Sequence, residues 1–263
     1  HSINFSEEDF WNLLPDIVSA FDDPTTDYAI LPTYKLGSFA REHGLKVILS
    51  GEGGDEIFAG YGRYRRLLRP WLFGGRPMRA KGIFDGEGIL RANDGAWRSS
   101  SGIVETNGAR SKLQKAQITD CQNWLPNDLL IKLDRCLMVH GVEGRTPFLD
   151  PEVASAVFNL PDSLKIKNGQ GKYLLRRWLN KKLPEAEPYN KKRGFSVPVA
   201  EWISKKGRAT GELVAAQPAI QEIAYPENVR GLFNRLENKP SRKLGQMAWT
   251  LLFYGLWHKC HIE

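Results

Sequence analysis

Apolar residues recur at helical spacing near both ends of the chain and gather into one short continuous run between them. Phe10, Leu13, Leu14, Ile17 and Val18 form a stripe behind Ser6-Glu7-Glu8-Asp9. That order predicts an amphipathic helix with Ser6 as N-cap and Asp9 at the third helical position. Pro15 interrupts the stripe and predicts a kink or break there. A second helix is expected from about Tyr34 to Glu42, with His43-Gly44 closing it. Lys46 to Leu49 has the pattern of a strand, the next residues that of a glycine-rich turn, and Asp55 to Leu68 that of a helix. Helix, short apolar strand, glycine turn and helix make half of an α/β unit with a parallel strand.

Residues 70–108 are rich in Gly, Arg and Pro and show no period, which predicts mostly loop. Beyond them the pattern is helical at roughly 111–123, 127–140, 151–159, 171–182, 198–205 and 241–259, with Pro and Gly between the segments. The organisation expected is an α/β portion over 1–69, a loop-rich connection over 70–110 and a helical portion over 111–263. Strand candidates are too few for a complete parallel sheet, so part of the sheet is expected to be missing. The fold class is α/β and helix-rich.

Composition adds limits rather than a function. Eight Trp and 15 Pro argue against a disordered chain. The longest strongly apolar stretch, Met247 to Trp257, is too short to span a bilayer and suits a buried terminal helix. Cys121, Cys136 and Cys260 form no CxxC pair and are odd in number, which favours a reducing, cytoplasmic setting. Cys121 and Cys136 sit in apolar-periodic helices and suit the core. Cys260 clusters with His258 and His261, but there is no fourth zinc ligand nearby. Trp249, Phe253 and Trp257 form a packing stripe. Amphipathic packing also explains Trp178 more simply than stacking on a base does.

The net charge of +7 is unevenly spread. Seven basic residues and no acid lie between Arg63 and Lys81, and a second basic run goes from Lys172 to Arg193. Such runs attract phosphate-bearing partners, and solvated helix faces are the plainer alternative.

The densest chemistry is Ser50-Gly51-Glu52-Gly53-Gly54-Asp55-Glu56, at the end of the strand. Ligands in open α/β sheets sit at the carboxyl ends of strands, beside such turns. Ser50 and Gly51 can offer a hydroxyl and backbone N–H groups, while Glu52, Asp55 and Glu56 would repel a bare polyphosphate. A Mg²⁺ between them removes the conflict, because hard oxygen ligands and substrate phosphates share its coordination sphere. Asp55 at a helix start is equally a simple stabiliser of the helix dipole.

Three further stretches follow in order: Leu130-Ile131-Lys132-Leu133-Asp134-Arg135 running into His140 to Asp150, then Gly171-Lys172-Tyr173-Leu174-Leu175-Arg176, then Lys192-Arg193-Gly194-Phe195-Ser196-Val197-Pro198. With the acidic turn, they resemble the synthetase domain of glutamine-dependent asparagine synthetases from about Tyr28 to Ile203. The last fifty or so residues match only loosely. The resemblance implies a PP-loop-type sheet and an ATP-dependent amide ligase. In that family the aspartate side chain attacks the α-phosphate of ATP, giving β-aspartyl-AMP and pyrophosphate, and ammonia then displaces AMP. By the same resemblance, Ser50 and Gly51 correspond to ATP contacts, Asp55 to a Mg²⁺ ligand, and Glu52 to the acid that handles the ammonia protons. Lys172 corresponds to the cation on the phosphates, and Asp134 and Arg145 to the aspartate pocket or its supporting shell. These roles suit the chemistry, since an amine nucleophile must lose a proton and charge building on phosphate oxygens needs a fixed cation.

Two departures matter. The family's Ser-Gly-Gly-x-Asp-Ser nucleotide loop occurs nowhere in the chain, and neither does its glutaminase domain. The expectation is a C-terminal part of a longer protein, inactive by itself. The implied partners are ATP, aspartate and ammonia from a glutaminase domain, with neither nucleic acid nor membrane, and homodimerisation is left open. A related adenylating amide or lactam synthetase is an alternative on the same scaffold. A basic nucleic-acid-binding module is an alternative of another class, but no recognition-helix, zinc-finger or aromatic-sheet motif supports it.

Overall fold

A computed structural model describes residues 1–78, 82–92, 110–190 and 197–263. Much of the loop-rich connection, the basic residues Arg79, Lys81 and Lys191 to Arg193, and the Gly194-Phe195-Ser196 part of the last motif lie outside the described residues.

The chain opens with α1 (Glu7–Ser19), capped as its sequence predicts: the Ser6 side chain accepts from the Asp9 N–H, and Asp9 accepts from the Ser6 backbone. Of the kink or break expected at Pro15, a break does not occur: the helix runs through it. Phe10, Leu14, Ile17 and Val18 are all buried around the proline, and that packing outweighs one missing backbone hydrogen bond. The next helix, α2 (Ile30–Glu42), starts four residues before the expected Tyr34, because Ile30 and Leu31 are core residues. It leads into β1 (Val47–Leu49), which pairs in parallel with β2 (Glu143–Arg145), Ile48 opposite Gly144. These strands form the sheet among the described residues, consistent with the helix-rich α/β class.

The helix expected over Asp55 to Leu68 is instead two: α3 (Gly54–Ile57) and α4 (Gly62–Leu68). Between them Ala59 adopts a left-handed backbone with φ 56°. Gly60 is packed so tightly that an added Cβ would overlap the Asp55 carboxylate and lie 2.5 Å from Lys172 Cε. The two helices expected over 111–123 and 127–140 are one continuous helical run. It comprises α5 (Lys112–Thr119), a wider π-wound stretch over Asp120–Leu130 that contains Pro126, and α6 (Ile131–Met138). After β2 come α7 (Pro151–Phe158), α8 (Asp162–Lys165) and α9 (Tyr173–Lys182). Trp178 on α9 is 56% exposed, so it does not pack against the fold as expected.

The C-terminal helices are α10 (Val199–Ser204), α11 (Gly207–Ala215), α12 (Pro218–Ile223), α13 (Pro226–Asn238) and α14 (Arg242–His261). They build the main core together with α1 and α2: Phe10, Ile17, Trp202, Val229, Phe233, Trp249 and Phe253 all belong to it. Two indoles of α14 reach back across that core. Trp249 Nε1 donates to the Thr26 carbonyl at 3.1 Å and Trp257 Nε1 to the Phe21 carbonyl at 2.9 Å. They hold the loop after α1, and that loop carries Asp27 into the site. A smaller core of Ala40, Leu133, Leu137 and Val142 packs beneath Ile48 and seats α2 and α6 against the sheet. No helix among the described residues is long and apolar enough to cross a membrane.

Candidate functional site

The end of β1 fixes the acidic turn by short backbone contacts. The Ser50 N–H donates to the Arg145 carbonyl at 2.7 Å, extending the ladder by one bond, and the Gly54 N–H returns to the Gly51 carbonyl at 3.2 Å. Gly53 has φ 82°, the left-handed conformation that glycine accepts without strain. A side chain there would also overlap Leu149. Gly51 differs: it is exposed, and a Cβ placed on it would meet nothing within 4 Å. Its backbone is therefore open to close approach by a ligand. Ser50 Oγ accepts from the Glu52 N–H at 3.3 Å.

Two lysines engage the carboxylates of the turn. Lys132 Nζ lies 3.2 Å from Glu52 Oε1 and 3.1 Å from Asp27 Oδ2. Burial alone would lower the Lys132 ammonium, but the facing carboxylates of Asp27 and Glu52 hold it above its ordinary value. Asp128 completes this cluster. Its carboxyl is pushed up to about 6, first by burial and then by the charge of Asp27, against the pull of Lys132 and a hydrogen bond from Thr25. The sequence reading did not single out Asp27, Lys132 or Asp128. The signal available was Lys132 itself, a charged residue on the apolar stripe Leu129, Leu133, Cys136, Leu137, all of which are buried.

Asp55 Oδ2 is 3.2 Å from Lys172 Nζ. Lys172 stands at the N-cap of α9 with φ 57°, and its N–H donates to the Phe58 carbonyl at 3.0 Å. A left-handed backbone at a residue with a Cβ costs on the order of 1–3 kcal/mol and persists only where its surroundings impose it. Here Gly171 supplies the constraint, since its Cα packs so closely on the Ala59 carbonyl that a Cβ would overlap it. The left-handed Ala59 and Lys172 thus lock the Asp55 helix to the start of α9.

A buried strut supports this helix from behind. Gln117 Nε2 donates to the carbonyls of Glu56 at 2.5 Å and Ile57 at 2.8 Å, while its Oε1 accepts from Lys165 Nζ at 3.0 Å. Lys165 is 1% exposed, and burial lowers its ammonium to about 8. Glu56 points away from the open side of the turn. It accepts from the Tyr61 hydroxyl at 2.6 Å, and its carboxyl is raised by burial.

The remaining sequence candidates are placed differently. Asp134 pairs with its neighbour Arg135 at 3.4 Å, and Arg135 also meets Asp22. Arg145 pairs with Glu143 at 2.9 Å on the open face of β2. The structure therefore gathers Ser50, Gly51, Glu52, Asp55 and Lys172 at one strand end. It leaves the Asp134 and Arg145 side chains outside that constellation, although the Arg145 carbonyl anchors Ser50. Arg63 is turned inward, where it binds Asp120 through Nε at 2.9 Å and Nη2 at 2.8 Å, so it is not part of a solvated basic face. Burial raises both interior thiols, Cys121 to about 12. That suits packing rather than nucleophilic attack.

For a divalent ion, Asp55 at the turn offers one carboxylate, which here faces Lys172. Among the described residues no group of three or more His, Cys, Asp or Glu forms a cage. That donor set fits Mg²⁺ as an ion shared with a substrate phosphate, because Mg²⁺ commonly takes one or two carboxylates plus phosphate oxygens and water.

A glycine turn at a parallel strand end, with an acid–lysine pair on either side, stands where open α/β sheets take their ligands. The family model described as asparagine synthase matches residues 1–259, and the chain belongs to that family. It is 30% identical to glutamine-hydrolysing asparagine synthetase 1 of Bacillus subtilis, an alignment that covers 98% of this chain and 47% of that protein. A putative glutamine-hydrolysing asparagine synthetase of Mycobacterium tuberculosis H37Rv is also 30% identical, covering 98% and 46%. Asparagine synthetase 1 of Saccharomyces cerevisiae is 27% identical over 72% of this chain. The chain spans about half the length of the bacterial relatives.

Proposed function

We propose that this chain is the nucleotide- and acid-handling part of an ATP-dependent amide ligase that converts aspartate to asparagine with ammonia released from glutamine. The observation that carries the proposal is the joining of Glu52–Lys132 and Asp55–Lys172 at one strand end, in a chain of the asparagine synthase family. In this reading an aspartate carboxylate oxygen bonds to the α-phosphorus of ATP as the bond to the leaving pyrophosphate breaks. Ammonia then bonds to the acyl carbon, the acyl–phosphate oxygen bond breaks, and AMP leaves. Mg²⁺ held by Asp55 would neutralise phosphate charge when bound. Lys172, released from Asp55, would stabilise the charge that builds on the phosphate oxygens. Glu52, steered by Lys132, would take a proton from the attacking amine. Ser50 and the unobstructed Gly51 backbone would receive the nucleotide.

The test uses the protein at its full natural length with aspartate, ATP, Mg²⁺ and either glutamine or ammonium. Equal amounts of asparagine, AMP and pyrophosphate are expected. ADP and phosphate as products, or amide formation on a different acid, would overturn the reading.

A further inference from the structure

Lys172 is the last residue of a short ribbon that begins at a buried lysine. Lys165 ends α8, and the chain then turns back on itself between Lys167 and Gln170. The Lys167 N–H donates to the Gln170 carbonyl at 3.0 Å, and the Gln170 N–H returns to the Lys167 carbonyl at 2.9 Å. The two residues at the tip, Asn168 and Gly169, have φ 50° and 72°. Positive φ at both central positions is what a type I′ hairpin turn requires, and Asn-Gly meets it with least strain. Arg65 Nη1 clips the tip by donating to the Gly169 carbonyl at 2.9 Å. Gly169 is exposed, and a Cβ on it would meet nothing within 4 Å, so glycine serves there through its backbone alone.

Both ends of this ribbon grip α3. At one end the Lys172 N–H donates to the Phe58 carbonyl and its Nζ faces Asp55. At the other, Lys165 Nζ donates to Gln117 Oε1 at 3.0 Å and to the Phe158 carbonyl at 2.7 Å. The Gln117 amide carries that contact on to the carbonyls of Glu56 and Ile57. An ammonium has donors only, so Lys165 fixes which way the amide faces: oxygen toward itself, NH₂ toward α3. Between the two ends, Ile166 packs against the cluster of Ala59, Tyr64, Leu113 and Ala116. With four residues, α3 is too short to stand by itself, so its place depends on these contacts. We propose that the 165–172 ribbon is a positioning frame: Lys165, through Gln117, and the Asn168-Gly169 turn set where Lys172 stands relative to Asp55. The catalytic consequence rests on the ligase reading; the geometry that the frame holds does not.

The experiment compares Gly169→Ala with Gly86→Ala in the protein at its full natural length. Gly86 is also exposed, has φ 76°, and has nothing within 4 Å of an added Cβ. It stands elsewhere in the fold, beside Glu87, which pairs with Arg235 of α13 and Lys243 of α14. The two substitutions impose the same kind of backbone strain, so similar falls in melting temperature are expected. Aspartate-dependent exchange of pyrophosphate into ATP should fall roughly tenfold to hundredfold in Gly169→Ala, the scale of a small misplacement at a reacting centre. Gly86→Ala should exchange at close to the parent rate. Gly169→Asn should recover most of the loss, because asparagine accepts a left-handed backbone more readily than alanine. Lys165→Met should behave like Gly169→Ala, with the rate reduced and the KM for ATP little changed. Crystal structures of the parent protein, Gly169→Ala and Lys165→Met read the Asp55–Lys172 separation directly, and a shift of more than about 0.5 Å is expected in both variants. Four results would overturn the proposal: an unmoved pair, parent-rate exchange by Gly169→Ala, an equal loss in Gly86→Ala, or Gly169→Asn as impaired as Gly169→Ala. A parent protein without exchange would refute the ligase reading instead, and the measured separations would still decide whether the frame holds Lys172.

Discussion

Lys132→Met keeps most of the side chain's bulk and removes one positive charge from between two acids. In the native chain Lys132 Nζ is 3.1 Å from Asp27 and 3.2 Å from Glu52, with 8% of its side chain exposed. Removing one partner of a fully buried pair costs about 3–5 kcal/mol. Asp27 and Glu52 keep 20% and 24% exposure, so water takes up part of the uncompensated charge. A loss of about 2–3 kcal/mol is therefore expected at pH 7.5. The pH dependence has a definite sign. Without the ammonium, Asp128 loses a charge that lowers its folded-state pKa, which therefore moves further above its value in the unfolded chain. An acid raised in this way destabilises the fold at high pH, and the cost disappears as pH falls through its folded pKa. Asp128 already titrates at about 6 with Lys132 in place, and Lys132 is one of the groups holding it down. The deficit of Lys132→Met relative to the parent chain should thus be largest above pH 7 and shrink toward pH 5. Urea denaturation of both proteins at pH 7.5 and 5.0 measures it. A deficit below about 1 kcal/mol, or one of equal size at both pH values, would refute the claim that Lys132 compensates a buried acidic cluster.

Asp128→Asn should stabilise the chain at pH 7.5, because it removes a carboxyl whose burial and proximity to Asp27 penalise its charged form. The gain should vanish below about pH 4, where the carboxyl is protonated in both states; parallel stability–pH profiles would contradict this. In the full-length protein, Lys172→Ala should lower the rate of aspartate-dependent pyrophosphate release by roughly 10²–10³, with ATP affinity falling much less. An unchanged rate would assign Lys172 to holding α3 in place. Glu52→Gln should spare aspartate-dependent pyrophosphate formation more than asparagine formation, since adenylation needs no base on an amine. Equal loss of both would make Glu52 an organiser of the metal or the nucleotide.

Local signals in the sequence were clear wherever one segment sufficed to produce them. The Ser6–Asp9 capping box, the strand before the glycine turn, and the packing stripe of Trp249 and Phe253 could all be read from neighbouring residues. What escaped depends on contacts far apart in the chain. β2 is Glu-Gly-Arg, a poor strand by composition, and it exists because its backbone pairs with β1. The helix Gly207–Ala215 begins and continues with glycines that local propensity penalises. Yet Cβ atoms at Gly207 and Gly211 would stand 2.7 Å from those of Glu237 and Phe233, so tertiary packing selects glycine there. The break at Ala59 follows from the lock between Phe58 and Lys172, more than a hundred residues apart. The site divides in the same way. Glu52 and Asp55 were visible because they crowd one turn, and Lys172 came through resemblance. Asp27 and Lys132 could not be linked to Glu52 from the sequence, because indole bonds from α14 carry Asp27 into position.

Magnesium-dependent adenylation at this strand end is the centre of the account, and aspartate-dependent exchange of labelled pyrophosphate into ATP measures it most directly. The protein at its full natural length is compared with its Asp55→Asn variant across Mg²⁺ concentrations. Asp55 is in the first turn of α3 rather than at its N-cap, which is Gly53, and asparagine keeps its size while giving up the charge that faces Lys172, so a melting curve of the variant is recorded beside the exchange assay. The account predicts exchange that requires aspartate and Mg²⁺, and in Asp55→Asn a sharp loss that is deepest at limiting Mg²⁺. Exchange without aspartate, or wild-type exchange by Asp55→Asn at limiting Mg²⁺, would contradict it.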